Sequence, residues 1–398
     1  MIKYINFAPI SLVIFLPIFY SFGILGNGFD RIGGMTDEEK LYFFSIPFSI
    51  LVIIPLYFKF FNYLISNAFF LIILSICIFS ILLKIIFHEA IDFNLIKNIS
   101  YILLFVSSLK IFEAFFIREF SKRKDVNFNE EKFLLTPFKI ILILTILSTL
   151  YQVNSSHKYD TYAIFVFETF RIYNYEQYFG FIFILFLGTL VRQKNYFLPL
   201  YFFLVTYLIL NSINLTAFIC TIFFVIIYLM KFFFKDKEYI PIIFFGIIII
   251  FLYFLFFPII LVAIDLFVLD LFNSLGLQIS NSLIYRSFHV SNYFSNFEWY
   301  QIFFPFLSEL RSTRNDMHNE LLEVFNSIGF IGLVIYYFNI FRSTMYISRV
   351  YIMPALAISL VCFLGGTMVN NTLHPYIAII LSYYISFYIV SFRNQNII

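Results

Sequence analysis

The sequence predicts an all-α polytopic membrane protein with about twelve transmembrane helices, and three observations lead to that fold class. Of the 398 residues, 62% are hydrophobic and only 12% are charged. The mean hydropathy is +0.91, and a soluble protein this apolar would expose too much hydrocarbon to water. Short basic turns also alternate with longer, weakly charged loops along the chain.

Hydropathy predicts where the helices lie. A window of about 19 residues finds twelve apolar segments. Their ranges are 6–25, 41–58, 64–87, 99–117, 134–151, 176–191, 195–211, 214–231, 239–262, 322–340, 351–369 and 375–391. We expect residues 1–398 to form a single integral membrane domain, with a large loop at 263–321 inside it.

The charges of the loops predict the orientation of these helices. If the amino terminus is cytoplasmic, the basic turns at 118–132, 192–194 and 231–237 also fall on the cytoplasmic side. The loops of the opposite side, such as 151–175 and 263–321, are longer and carry mixed charge. This is the distribution that the positive-inside rule requires. An even number of helices then places both termini in the cytoplasm.

Two opposite charges lie inside the fourth predicted helix. Lys110 and Glu113 are three residues apart, so their side chains share one face of the helix. Charges inside apolar segments usually pair with one another. We therefore interpret them as a structural ion pair.

Arginine and histidine residues collect in the loops predicted to lie outside the cytoplasm. Arg171 stands about one helical turn before the sixth predicted helix, where it can bind an anion or anchor the chain to lipid phosphate. The large loop adds Arg286, His289, Arg311, Arg314 and His318. The planar guanidinium donates paired, charge-assisted hydrogen bonds to phosphate, which favours a lipid-linked phosphate or pyrophosphate ligand. The alternative is a loop that only balances charge near anionic headgroups.

His318 is the candidate general base. Asn315 or Asp316 can cap the helix that follows, which places His318 in its first turn. The positive end of the helix dipole there favours a neutral imidazole near pH 7. Such an imidazole can accept a proton from a hydroxyl nucleophile beside arginine-bound phosphate. A purely structural interfacial histidine is the alternative.

The sequence lacks the motifs of several other functional classes. It contains no HExxH motif, no paired cysteines and no Asp-x-Asp in an outer loop. We therefore predict no metal site, no cofactor and no nucleic-acid partner. The absence of a Walker motif removes support for ATP-driven transport. Secondary transport is less favoured, because the predicted helices lack paired Gly/Pro interruptions and midplane carboxylates.

The stretch 318–338, HNELLEVFNSIGFIGLVIYYF, resembles the signature of the O-antigen ligase and polymerase superfamily. In that family a His-Asn pair, an apolar-acidic turn and a Gly-x-x-Gly step lead from a large periplasmic loop into a transmembrane helix. The matching positions are His318, Asn319, Glu320, Glu323, Gly329 and Gly332. Arg286 in IYRSF and Arg171 in FRIYNYEQYFG match two further arginines. The glycines would let neighbouring helices approach closely.

The resemblance implies a metal-independent glycosyltransferase of the bacterial inner membrane, active on the periplasmic face, with a fold similar to C-type membrane glycosyltransferases. Its substrate would be an undecaprenyl-pyrophosphate-linked oligosaccharide, and its other partners would be the lipid bilayer, a chain-length regulator and a flippase. The catalytic residues would be His318, Arg286 and Arg171. The substrate-binding residues would be Arg311, Arg314, Asn319, Glu320, Glu323 and His289.

One departure from the family distinguishes two activities. Ligases typically place an arginine between the seventh and eighth helices, and here that turn reads LNSINLTAF without a cation. This favours a polymerase of O-antigen or capsular repeat units. A ligase that joins O-antigen to the lipid A core is the alternative, and a polysaccharide flippase or other transporter is the third.

Overall fold

A computed structural model describes a large part of the chain. The described residues are 54–88, 93–121, 130–140, 142–143, 166–167, 170–171, 176–192, 197–211, 215–233, 300, 303–304, 320–367, 373 and 375–395. They are almost entirely helical, as the predicted fold class requires. Four segments are long and apolar enough to cross a membrane: Ala68–Phe87, Leu95–Ser121, Glu320–Ser348 and Ile377–Asn394. The total of twelve helices stays a prediction, because the ranges 6–25 and 239–262 lie outside the described residues.

The helices follow the predicted ranges closely in most places. They are α1 (Ala68–His88), α2 (Phe93–Ser121), α3 (Glu176–Leu190), α4 (Leu198–Asn211), α5 (Leu215–Phe233), α6 (Glu320–Ser348), α7 (Ile352–Ser359) and α8 (Pro375–Gln395). Residues 54–65 are also helical, and a π-helical turn covers Glu131–Leu135. The described residues also include an antiparallel pair of two-residue strands, β1 (Val166–Phe167) and β2 (Phe170–Arg171).

Helices α2 and α8 form the centre of the described fold. The apolar stretches of α2 and α8 are 83% and 89% buried, whereas that of α1 is only 17% buried. The Ser382 hydroxyl donates a hydrogen bond to the Phe105 carbonyl (3.0 Å), and the Ser386 hydroxyl donates one to the Leu109 carbonyl (2.7 Å). Because both contacts advance by four residues, the two helices run parallel and in register. Serine at these positions lets the backbones approach closely.

The seam between α2 and α8 ends in a group of charges around Glu113. Lys110 Nζ lies 3.0 Å from Glu113 Oε2, so the predicted ion pair is confirmed. Arg393 of α8 contacts the other carboxylate oxygen at 2.5 Å. The Glu113 side chain is 3% exposed and that of Arg393 is 46% exposed. Glu113 therefore pairs with two cations, Lys110 and Arg393, and links α2 to α8.

Two further contacts set the direction of α3. The Tyr384 hydroxyl donates to the Leu185 carbonyl (2.9 Å), and the Tyr388 hydroxyl donates to Thr189 Oγ1 (3.0 Å). Both contacts again advance by four residues, so α3 runs parallel to α8. The guanidinium of Arg192, just beyond α3, lies 4.3 Å from the ring centroid of Tyr351, the residue before α7. Helix α7 therefore begins where α3 ends, as expected for predicted helices that cross in opposite directions.

Helix α6 reverses direction at Gly329, whose φ of 71° and ψ of −178° are essentially restricted to glycine. The Tyr337 hydroxyl donates a 3.0 Å hydrogen bond to Glu320 Oε1, although the residues are 17 apart. Seventeen residues of straight helix would separate them by about 25 Å, which the two side chains cannot bridge. The predicted apolar segment 322–340 is helical, but its helix is broken at Gly329. We call residues 320–328 the folded-back segment and residues 330–348 the long arm.

A second glycine makes room for the reversal. A Cβ at Gly332 would lie 2.7 Å from both Cβ and Cγ1 of Ile328, which is closer than real side chains approach. The glycine pair was expected to let neighbouring helices approach. At Gly332 the close approach is instead between the two arms of one helix.

The long arm is sufficient to cross a membrane without the folded-back segment. At 1.5 Å per residue it is about 28 Å long, close to the thickness of the hydrocarbon core. Large apolar side chains are exposed along it at Phe330, Ile331, Val334 and Phe338. We assign these side chains to the lipid-facing side of the arm, because its other side is buried in the protein.

The chain that follows α7 lies opposite the folded-back segment. After α7 the chain passes into a π-helical turn, Leu360–Leu364, and a 3-10 turn, Gly365–Thr367. A Cβ at Gly366 would lie 3.7 Å from Cβ of Glu320, which is ordinary contact distance. Helix α6 is therefore broken at Gly329, whereas the backbone from α7 through Gly365 stays in the right-handed helical region.

Candidate functional site

Three of the predicted site residues lie in the part of the chain that the structure describes: Arg171, Glu320 and Glu323. The others lie outside the described residues: Arg286, His289, Arg311, Arg314, His318 and Asn319. The site can therefore be built from its acidic side and from one of its arginines.

Arg171 lies in extended backbone rather than in a helix. It is the last residue of β2 and pairs with Val166 of β1. Helix α3 begins five residues later, at Glu176. Arg171 therefore precedes, in sequence, a helix whose residues from Gly180 to Leu190 are buried.

Glu320 is enclosed between the long arm and the chain that follows α7. Its side chain is fully buried, and Oε1 accepts the hydrogen bond from Tyr337. The Tyr337 ring in turn packs against Phe363 of the π-helical turn, with ring centroids 5.9 Å apart. The backbone at Gly366 also lies beside the Glu320 carboxyl group. A buried carboxylate needs such donors, because its transfer out of water is costly.

Glu323 points to a different partner. Asn98 of α2 donates a hydrogen bond from Nδ2 to Glu323 Oε2 at 2.5 Å, and both side chains are buried. The Ser327 hydroxyl donates to the Glu323 carbonyl within the same segment (2.7 Å). Glu320 thus links the folded-back segment to the long arm, and Glu323 links it to α2.

Sequence reasoning identified the two carboxylates but missed both of their partners. Asn98 is 225 residues from Glu323, and Tyr337 is one of 29 tyrosines. The one signal available for Asn98 was a polar amide among the apolar residues of α2. For Tyr337 no local signal exists, because its partner reaches it only after the reversal at Gly329.

The described part of the chain offers no metal centre. Among these residues, no group of three or more His, Cys, Asp or Glu side chains is placed to hold an ion. The three cysteines of the sequence, Cys77, Cys220 and Cys362, are buried as free thiols.

A second charged group lies at the other end of the described helices. Arg192 forms an ion pair with Glu130, which precedes the π-helical turn. Burial raises the pKa of the Glu130 carboxyl group above its usual range, and the nearby guanidinium only partly offsets that rise. This pair lies among the turns predicted to be cytoplasmic and is separate from the candidate site.

The described fold and site define the class of the protein: an α-helical membrane protein in which a folded-back segment carries two buried carboxylates into the helix bundle. No protein family, no curated protein and no solved structure matches this chain.

Proposed function

We propose that this chain is a glycosyltransferase that polymerises the repeat units of a bacterial surface polysaccharide, an O-antigen or a capsule. It would transfer glycan from undecaprenyl pyrophosphate to a sugar hydroxyl on the periplasmic face of the inner membrane. The observation that carries the proposal is the position of the His-Asn pair in the chain. That pair directly precedes a buried segment, tied to α2 and to the long arm, within a stretch that resembles the ligase and polymerase signature.

Covalent geometry supports a role for this histidine near the helix bundle. His318 lies two positions before Glu320, which limits the distance between their Cα atoms to about 7 Å. Glu320 is fully buried and hydrogen-bonded. A catalytic residue attached to a rigid element can be held in place far better than one on a free loop.

The proposed reaction is a substitution at the anomeric carbon of the lipid-linked glycan. The acceptor hydroxyl loses its proton to His318, and its oxygen forms a bond to the anomeric carbon. The bond from that carbon to the pyrophosphate oxygen breaks, and undecaprenyl pyrophosphate leaves with the electron pair. Charge therefore develops on the leaving group, where the arginines would stabilise it: Arg171, Arg286, Arg311 and Arg314. A chain-length regulator and a flippase remain the expected partners.

A second candidate, secondary transport, gains support from the structure. Helix α6 is broken at Gly329 and carries the buried carboxyl groups of Glu320 and Glu323. Transporters commonly place substrate and ion sites between broken helices, and buried ionisable residues mark their pathways. The polymerase is preferred because the arginine and histidine residues collect in the predicted outer loops, whereas a transporter would be expected to carry charges along a central cavity.

Deletion of the gene separates these functions. Loss of a polymerase leaves single repeat units attached to the lipid core, seen as one band above the core on a lipopolysaccharide gel. Loss of a ligase leaves core without repeats and long chains retained on undecaprenyl pyrophosphate, and loss of a flippase gives neither product. A deletion strain with an intact ladder of chain lengths would rule out the polymerase.

A further inference from the structure

We infer that Tyr337 and Asn98 are positioning residues, which act through Glu320 and Glu323 to hold the folded-back segment in the orientation required for glycan transfer. This inference rests on the proposed function. It extends that function to two residues that are not among the polar positions of the ligase and polymerase signature.

The two hydrogen bonds fix the segment at two points. Glu320 and Glu323 are three residues apart, about one helical turn, and their partners lie on different elements. A short helix held at one point can still rotate about its own axis. Two contacts one turn apart, to α2 and to the long arm, fix both its location and its rotation.

The segment needs such contacts because it is short. Isolated helices of fewer than about 12 residues are marginal in water, and residues 320–328 are separated from the long arm by the reversal at Gly329. The orientation of the segment is therefore set by tertiary contacts. Its apolar residues Leu322, Val324 and Ile328 are buried and pack against the protein. The hydrogen bonds set the orientation of the segment.

The chain offers a matched control for the Tyr337 hydroxyl. Tyr383 of α8 is also buried, and its hydroxyl also donates one hydrogen bond of 3.0 Å, to the Phe133 carbonyl. Phenylalanine at either position removes one buried tyrosyl hydrogen bond. Only Tyr337→Phe removes a contact of the folded-back segment.

The test measures initial rates of polymerisation by the full-length protein in proteoliposomes, with an undecaprenyl-pyrophosphate-linked repeat unit as the substrate. We expect Tyr337→Phe to lower kcat by about 10- to 100-fold, the scale of a small misplacement of a catalytic group, with little change in KM. Tyr383→Phe should keep a rate close to that of the wild type. Thermal unfolding in detergent, measured on both variants, shows whether each is folded.

Substitutions of Glu320 separate positioning from direct binding of substrate. Glu320→Gln retains an oxygen that accepts the Tyr337 hydrogen bond, so it should lose less activity than Glu320→Ala. Equal losses in those two variants, or equal effects of Tyr337→Phe and Tyr383→Phe on kcat, would overturn the inference while the polymerase activity stands. Wild-type protein that forms no polymer would overturn the proposed function and this inference with it.

Discussion

Replacement of His318 by alanine is expected to abolish polymerisation while the protein still inserts and accumulates in the membrane. A positioned general base contributes about 10²- to 10⁴-fold to a rate, so the ladder of chain lengths should collapse to single repeat units. The measurement is the ladder in a deletion strain that expresses each variant, together with the protein level.

Other histidine and arginine variants serve as controls for this result. His88→Ala changes a histidine at the end of α1 that is not part of the proposed site, and it should leave the ladder unchanged. Arg286→Ala should resemble His318→Ala, because it removes a charge that stabilises the leaving pyrophosphate. Arg311→Ala and Arg314→Ala should give graded losses, because adjacent arginines can partly replace each other. Wild-type ladders from both His318→Ala and Arg286→Ala would contradict the proposed site.

Gly329→Ala is expected to have the second large effect. The backbone at Gly329 has a positive φ and an extended ψ, a combination that costs other residues on the order of 1–3 kcal/mol. The added Cβ should therefore destabilise the reversal and favour a straighter helix, which would withdraw Glu320 from Tyr337. We expect a lower unfolding temperature in detergent and a loss of polymerisation at least as large as that of Tyr337→Phe.

Gly366→Ala is the matched control for Gly329→Ala. Gly366 lies beside the same carboxyl group, but a Cβ there would meet its nearest neighbour at 3.7 Å. The substitution should therefore be tolerated in both stability and activity. If Gly366→Ala and Gly329→Ala had the same effect, the positive φ of Gly329 would not be what the site depends on.

Hydropathy predicted the straight helices well and failed where the backbone changes direction. Helices α3, α4, α5 and α8 lie close to their predicted ranges, because each is a continuous apolar run bounded by polar residues. The sequence IGFIG is apolar on both sides of Gly329, so a hydropathy window cannot detect the reversal there. The only local signal was a pair of glycines three residues apart, whose positive φ cannot be read from composition.

For the charged residues too, local contacts could be predicted from the sequence and long-range contacts could not. The pair Lys110–Glu113 could be predicted because helix geometry brings residues three apart together. The contact of Glu113 with Arg393 joins residues 280 apart, and nothing in either local sequence indicates it. For the same reason the identities of Glu320 and Glu323 could be predicted but their hydrogen-bond partners could not.

Intramolecular cross-linking tests the reversal at Gly329, on which the site depends. The three native cysteines are replaced by alanine, and cysteine pairs are introduced at positions 320 and 337 and, as a control, at 103 and 120 of the uninterrupted helix α2. Both pairs are 17 residues apart, about 25 Å in a straight helix, and a short bismaleimide cannot bridge that distance. We expect peptide mass spectrometry to find the 320/337 pair bridged and the 103/120 pair modified separately. Two separately modified thiols at 320 and 337 would contradict the reversal.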